Sequence, residues 1–429
     1  MILIYSNNDS PRLRYICRFI FDEQLGIEHT ILTDRNDFLS REGYKINYSQ
    51  ELSINDDSFH IHPHQLLFES GIRNQDIFCE TENALPIFFK TAGKDLSYDI
   101  FAASFFLLSR YEEYLPHEKD AFGRYPHSAS LAFREGFLNK PLVNIRIIEL
   151  ADKLKKKFPG ITFQKSSFSF LPTYDIDIAY SYKNKGLIRT VGGFIKEPSW
   201  RRINVLLDKE KDPFDIYEEL DALHKKHALK PIYFFLAAER AGRYDKNNPV
   251  DSKGMKDLLS KHASQYDIGI HPSWKSNDKE HILQSEKKIM EDICGKKIEY
   301  SRQHYIKFEL PGTYRKLINM NISHDFSMGY GSINGFRASV ASSFLWYDLA
   351  AEKETTLRIH PFCYMDANCY YEEKLDVRGA YDELLHYFHA CRSVNGTLIT
   401  IFHNMFMADT PEFRPWKENY FRFIAQMGQ

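Results

Sequence analysis

Two aspartates, Asp175 and Asp177, stand two residues apart in TYDID at the end of an apolar, strand-like run. In an extended segment residues i and i+2 share a face, so both carboxylates point the same way. Carboxylates so placed suit one metal ligand and one general base. Three more strand-like runs end in ionisable residues: GIHPS at His271, SRQHY with Arg302, His304 and Tyr305, and IFHN at His403. A single Asp or His at a strand end is ordinarily a helix cap or a satisfied hydrogen bond. Four such ends together are harder to explain by capping, because charge buried among apolar strands is tolerated only when paired, coordinated or used. Carboxylate, imidazole and guanidinium in this combination fit metal binding and proton transfer.

Bringing these ends together is the task of the elements around them. After about residue 166, short apolar runs alternate with longer amphipathic ones, the pattern of a parallel sheet with crossover helices. The strand-like runs are FSFLPTYD, PIYFFLA, YDIGIH, EYSRQHY, ISHDFS, TLRIHPF and TLITIFHN; DIYEELDALHKKHAL, EHILQSEKKIMEDI and YDELLHYFHACRS read as helices. Seven such units predict a closed or nearly closed (β/α) barrel, whose active site forms at the C-terminal ends of the strands. A doubly wound open sheet is the alternative, but no glycine-rich G-x-G-x-x-G turn follows the first strand.

A boundary is expected near 150–166, where VNIRIIELADKLKKKF gives way through Pro159 and Gly160. Residues 1–155 then form a smaller α/β domain and 166–429 the barrel domain. In the first part MILIYS and HTILT read as strands, and YDIFAASFFLLSRYEEY places Phe101, Phe105, Leu108 and Tyr111 on one helical stripe, which is core. His60, His62 and His64 in HIHPH are read as solvated loop histidines, since Pro63 breaks regular ligand geometry.

The chain of 429 residues is 43% hydrophobic and 27% charged with a formal net charge of -2, so no global bias toward nucleic acid or anionic membrane is present. Its 33 Phe and 26 Tyr serve mainly as core, with exposed members available to stack on sugar rings. Six scattered cysteines include no C-x-x-C pair, so neither a zinc ribbon nor a dithiol motif is indicated, and a reducing compartment fits. No run approaches the roughly 20 apolar residues of a membrane span, and the N-terminus lacks a secretory leader. The expectation is a cytoplasmic, soluble protein.

At this level the barrel residues resemble the polysaccharide deacetylases of the NodB-homology type, over about residue 166 to the C-terminus. Thr173-Tyr174-Asp175-Ile176-Asp177 is similar to the family's first motif, GIHPSW to the second, Arg302-Gln303-His304-Tyr305 to the third, Asp366 in HPFCYMD to the fourth and His403 to the fifth. LSYDIFAASFFLLSRYEEYL and DAFGRYP resemble the domain that precedes the barrel in a bacterial subgroup of the family. The resemblance implies a distorted (β/α)7-type barrel and removal of N-acetyl or related acyl groups from a sugar or polysaccharide, assisted by a divalent metal, zinc first. It implies Asp175 as general base, Asp177 and His271 as metal ligands, and Arg302 as the residue orienting the base. The Tyr305 backbone N–H would help hold the oxyanion, Asp366 would tune His403, and His403 would protonate the leaving amine.

The sequence departs from the pattern twice. The second motif ordinarily carries two histidines four residues apart, but the position four after His271 is Lys275. The third has His304 where proline is usual; a histidine on a neighbouring strand end can restore a set of one Asp and two His, and it reads equally well as an ordinary strand histidine bonded to a carbonyl. Arg337 in GFRAS reads equally well as a substrate contact or a loop ion pair. A competing reading is a barrel without turnover that binds carbohydrate or serves as a scaffold. Glycoside hydrolysis is disfavoured, because its two acids flank a sugar roughly 5–10 Å apart and residues 175 and 177 share one strand end.

Overall fold

The computed structural model describes residues 1–427 except 53, 55, 56, 165 and 197, so residue 165 of the expected boundary and residues 428–429 of the expected barrel lie outside it. The protein is of the mixed α/β kind. Near the N-terminus a four-stranded parallel sheet runs β2-β1-β3-β4, from β1 (Ile2–Ser6), β2 (His29–Leu32), β3 (Tyr44–Tyr48) and β4 (Phe59–His60). All five residues of β1 are buried, as the uninterrupted apolar run ILIY requires of an inner parallel strand. A hairpin of β5 (Glu80–Glu82) and β6 (Leu85–Ile87) follows.

Nine strands make the large sheet: β7 (Ser169–Ile176), β8 (Ile232–Leu236), β9 (Asp267–His271), β10 (Tyr300–Ser301), β11 (His324–Asp325), β12 (Phe344–Asp348), β13 (Lys353–Ile359), β14 (Tyr364–Met365) and β15 (Thr397–His403). Their order is β12-β13-β11-β10-β9-β8-β7-β15-β14, and every pair is parallel except β12 with β13. The seven expected runs are all here. EYSRQHY and ISHDFS each contribute only two paired residues, and β12 and β14 are additional. The end strands β12 and β14 do not pair with each other among the described residues, so the sheet is not closed by hydrogen bonds. Crossover helices include Tyr217–Lys226, Lys253–Gln265, Glu280–Cys294 and Val377–Ser393.

Alternation along β7 sets the direction of the site. The Tyr174 hydroxyl meets His224 at 2.7 Å and Tyr420 at 2.6 Å on the outer helices. Thr173 and Asp175, of opposite parity, therefore face the other way, and Asp177 follows one residue past the strand.

Helix Ile100–Leu108 is buried on all sides, capped at its start by Asp99, which accepts from the N–H groups of Phe101 and Ala102. Phe101, Phe105, Leu108 and Tyr111 are core as expected, although the helix ends before Tyr111 because Arg110 takes a left-handed φ of 54°. Two of the histidines of HIHPH, His60 and His64, differ from expectation, whereas His62 is partly exposed. His60 is 1% exposed, with Nδ1 accepting from the Lys94 N–H and Nε2 3.0 Å from the Ser49 carbonyl, and His64 stacks on Phe89. These rings are held by packing and local hydrogen bonds rather than solvated.

The N-terminal part and the large sheet share one continuous apolar cluster, from Ile2 to Ile424. Polar ties reinforce it: Arg12 Nε donates to Glu352 at 2.9 Å, and the Tyr15 hydroxyl donates to the Leu345 carbonyl at 2.8 Å.

Candidate functional site

The sequence-predicted groups from β7, β9, β10 and β15 converge at one end of the large sheet. Strands β7 and β10 are three spacings apart, on the order of 14 Å in a flat sheet. Yet Arg302, just past β10, donates from Nη1 to Asp175 Oδ1 at 2.7 Å, and His304 Nε2 lies 3.6 Å from Asp177 Oδ2. The sheet therefore curls toward this end. A cavity of about 390 Å³ opens there, lined by Asp175, Asp177, His271, His304 and His403 among others.

The ring tautomers follow from the partners. His271 Nδ1 is 2.6 Å from the Arg302 carbonyl, which can only accept, so Nδ1 carries a proton and the Nε2 of the neutral ring offers a lone pair. That Nε2 is 3.2 Å from Asp177 Oδ1, a buried oxygen with no hydrogen-bond donor. His304 repeats the arrangement, with Nδ1 directed at the Asp245 carboxylate at 3.1 Å and Nε2 turned to Asp177. One ligand atom from each of Asp177, His271 and His304 lies within 4.8 Å of the others. Lone pairs converging on one point repel unless a proton or cation lies among them. Burial works against charge on both Asp177 and His304; their attraction prevails, holding the Asp177 carboxyl well below the usual range and, with Asp245, pushing His304 up to about 9. Imidazole and carboxylate donors in this number fit a divalent ion of the zinc kind. The hydrogen bonds from Nδ1 to carbonyl and carboxylate are those that orient ligand histidines. Lys275 is exposed and takes no part.

Asp175 is 2% exposed, and its Oδ2 lies 3.7 Å from His271 Nε2. Arg302, which fixes Oδ1, is itself fully buried over the Phe234 ring at 4.4 Å, with Nε donating to the Phe326 carbonyl. His403 ends β15. Asp366, just past β14, holds its Nδ1 at 2.6 Å and accepts from its backbone N–H at 2.7 Å. Burial opposes charge on His403, but Asp366, with Asp177 and Asp175, outweighs it and pushes the imidazole up to about 9. His403 is therefore protonated at neutral pH, its Nε2 4.0 Å from Asp177 Oδ2.

Tyr305 stands at the rim, 36% exposed. It and Ile306 have left-handed φ of 58° and 54°, a conformation that costs about 1–3 kcal/mol per non-glycine residue and is held only where surroundings enforce it.

Arg337 lies elsewhere. It is 1% exposed, absent from the cavity lining, and bonded to Glu113 through Nε at 2.9 Å and Nη2 at 2.6 Å. Glu113 also receives Arg110 Nε at 2.7 Å. Burial disfavours the charge on Glu113, yet Arg337 and Arg110 hold its carboxyl down at about 2. Of the two readings of Arg337, substrate contact and ion pair, the structure shows the ion pair, buried and tying Arg337 to Glu113 of the N-terminal part.

Sequence reasoning missed Asp245 and Arg124. Asp245 lies in the loop after β8 rather than at a strand end, so position gave no signal. Arg124 lies in DAFGRYP, far from the strands in sequence, yet it lines the cavity.

A family of unknown function, DUF7033, matches residues 2–159, less than half of the chain. No curated protein matches. Among solved structures, a candidate polysaccharide deacetylase from Mycobacterium smegmatis is 11% identical with a TM-score of 0.41, covering 62% of this chain and 85% of that one. The Puue allantoinase is 10% identical with a TM-score of 0.40, covering 73% and 91%. A polysaccharide deacetylase from Bacillus cereus is 12% identical with a TM-score of 0.32, covering 62% and 89%. Likenesses at these values bear on neither activity nor substrate. No helix among the described residues is long and apolar enough to cross a membrane.

Proposed function

We propose that this chain is a metal-dependent hydrolase that removes N-acetyl or related acyl groups from a sugar or polysaccharide. The observation that carries the reading is the convergence of His271 Nε2, His304 Nε2 and the Asp177 carboxylate, with both Nδ1 atoms already committed as donors. These three residues would hold the ion. When bound, a divalent ion such as zinc supplies Lewis acidity, easing deprotonation of water and polarising an acyl oxygen.

The chain's own residues supply the rest. Asp175, fixed through Oδ1 by Arg302, keeps Oδ2 available to take a proton from the attacking water. His403, charged through Asp366, delivers a proton to the departing amine. The backbone N–H of Tyr305 is assigned to the developing oxyanion. Tyr244 and Tyr305 line the cavity, Tyr244 backed by the stacked ring of Trp274, and are the aromatic groups against which a sugar ring can stack. The same reading takes the large sheet as a distorted (β/α)7-type barrel over 166–429, preceded by a smaller α/β domain at 1–155 that packs against it.

Metal analysis of the purified chain, followed by measurement of acetate release from a panel of N-acetylated sugars, tests the proposal. Bound metal at one equivalent with acetate release supports it. Absence of metal from protein prepared with excess zinc overturns it, and metal without turnover on any acylated sugar favours a carbohydrate-binding barrel.

A further inference from the structure

Residues 120–124 belong to the N-terminal part, within the region that a family of unknown function matches, yet Arg124 reaches the wall of the candidate site. The Asp120 carboxylate organises this turn: Oδ1 accepts from the N–H groups of Phe122 and Arg124 at 2.9 Å each, and Oδ2 accepts from Arg124 Nε at 2.7 Å. The guanidinium so aimed donates from Nη1 to two carbonyls, Tyr305 at 2.8 Å and Gly331 at 3.2 Å. A Cβ at Gly331 would come within 2.2 Å of that Nη1, so the guanidinium passes where only glycine leaves room. The Phe122 ring stacks on the Tyr305 ring, centroids 5.5 Å apart and planes at 23°.

The contacts of Arg124 and Phe122 with Tyr305 bear on the turn His304–Ile306, which carries two consecutive non-glycine residues in the left-handed region. Ile306 is β-branched and disfavours that region strongly. A turn under such strain needs outside contacts to hold it, and His304, the proposed third ligand, begins it.

We infer that the turn Asp120–Arg124 is a latch by which the N-terminal part positions the Tyr305–Ile306 turn, and through it His304, so that the candidate site is assembled from both parts of the chain. Arg124 is a positioning residue here; it acts through the Tyr305 carbonyl and touches no ligand of the metal. The inference rests on the proposed metal site for one of its two readouts and is independent of it for the other.

The test uses the full chain and the variants R124M, R124K, G331A and K119M, the last removing only the exposed ion pair of Lys119 with Glu309. Hydrogen exchange of the amides at 304–308 is measured in metal-free protein, and affinity and absorption spectrum are measured with cobalt(II). In R124M exchange at 304–308 should quicken at least tenfold, cobalt affinity should fall about 10- to 100-fold, and the cobalt spectrum should change. R124K, retaining one donor, should fall between R124M and wild type, while K119M should match wild type in every readout. Exchange in the helix Leu142–Lys157 reports whether the fold is intact. If it also quickens in R124M, G331A decides by the same readouts. Unchanged exchange and unchanged cobalt affinity in an intact R124M or G331A protein overturn the latch. A wild-type chain that takes up no cobalt overturns the hydrolase reading instead, and loop exchange alone then decides the latch.

Discussion

Nε2 of His271 lies 3.2 Å from Oδ1 of Asp177, although the strands that carry them are separated by β8. Two features of the intervening packing allow it. Gly269 in β9 leaves room for the Phe234 ring of β8, which an added Cβ would meet at 2.4 Å. Phe234 in turn supports the Arg302 guanidinium at 4.4 Å, so the strand that separates the two ligands also props the group that fixes Asp175.

Asp175→Asn is expected to abolish turnover and to leave metal content unchanged, because the base can be lost without emptying the ligand set. Asp177→Asn and His271→Ala should each lose metal as well. Metal analysis beside an acetate-release assay separates the two outcomes. Wild-type acetate release by Asp175→Asn protein would remove Asp175 from the role of base.

His304→Ala should weaken metal binding about as much as His271→Ala does, and His304→Pro should not restore it. Asp245→Asn should have a smaller effect in the same direction, about 10-fold, because it orients His304 from behind. Isothermal titration with zinc checks all three, and wild-type affinity in His304→Ala would reduce the ligand set to Asp177 and His271.

His403→Ala should lower turnover by about 10²–10⁴, the usual worth of a positioned acid, with substrate affinity little changed and metal retained. Steady-state kinetics on any N-acylated substrate that the chain accepts gives the answer; an unchanged turnover number would take His403 out of the mechanism.

The strand ends that carry Asp175, His271 and His403 were legible in the sequence because β7, β9 and β15 are long enough to show as apolar runs before a polar residue. The runs at β10, just before Arg302, and β11 were also expected, but each pairs over only two residues; the strands left unread were β14, which is equally short, and β12, which runs antiparallel to β13 within an otherwise parallel sheet. Which of the two readings held for Arg337, substrate contact or ion pair, was undecidable for a related reason. Its partner Glu113 is 224 positions away, and a pairing across that separation leaves no mark in local sequence. Asp245 and Arg124 escaped because each acts from a loop, where position within a strand gives no guidance.

Glu113 sits between two buried guanidiniums, of which Arg110 also meets Glu112 at 2.8 Å while Arg337 pairs with Glu113 alone among the described residues, so Glu113→Ala should destabilise the fold by about 3–5 kcal/mol, the penalty for leaving the buried Arg337 cation without a counter-charge. The sign with pH follows from its depressed carboxyl. The group stays ionised in the folded chain down to about 2, but the unfolded chain protonates it near the ordinary value of 4.5. Its contribution, about 3 kcal/mol, is therefore fully present above pH 4.5 and lost as pH falls from there toward 2. Urea unfolding of wild type and Glu113→Gln across that range should show the wild type losing its advantage; parallel pH curves would contradict the pairing.

The continuous apolar cluster from Ile2 to Ile424 makes the N-terminal sheet and the large sheet thermodynamic dependants of each other. Severing the chain near Gly160 would uncover the apolar faces that each part turns toward the other, leaving two fragments prone to associate rather than two free-standing modules. Heat would accordingly be absorbed in a single cooperative calorimetric transition, with the small sheet melting together with the large one instead of ahead of it.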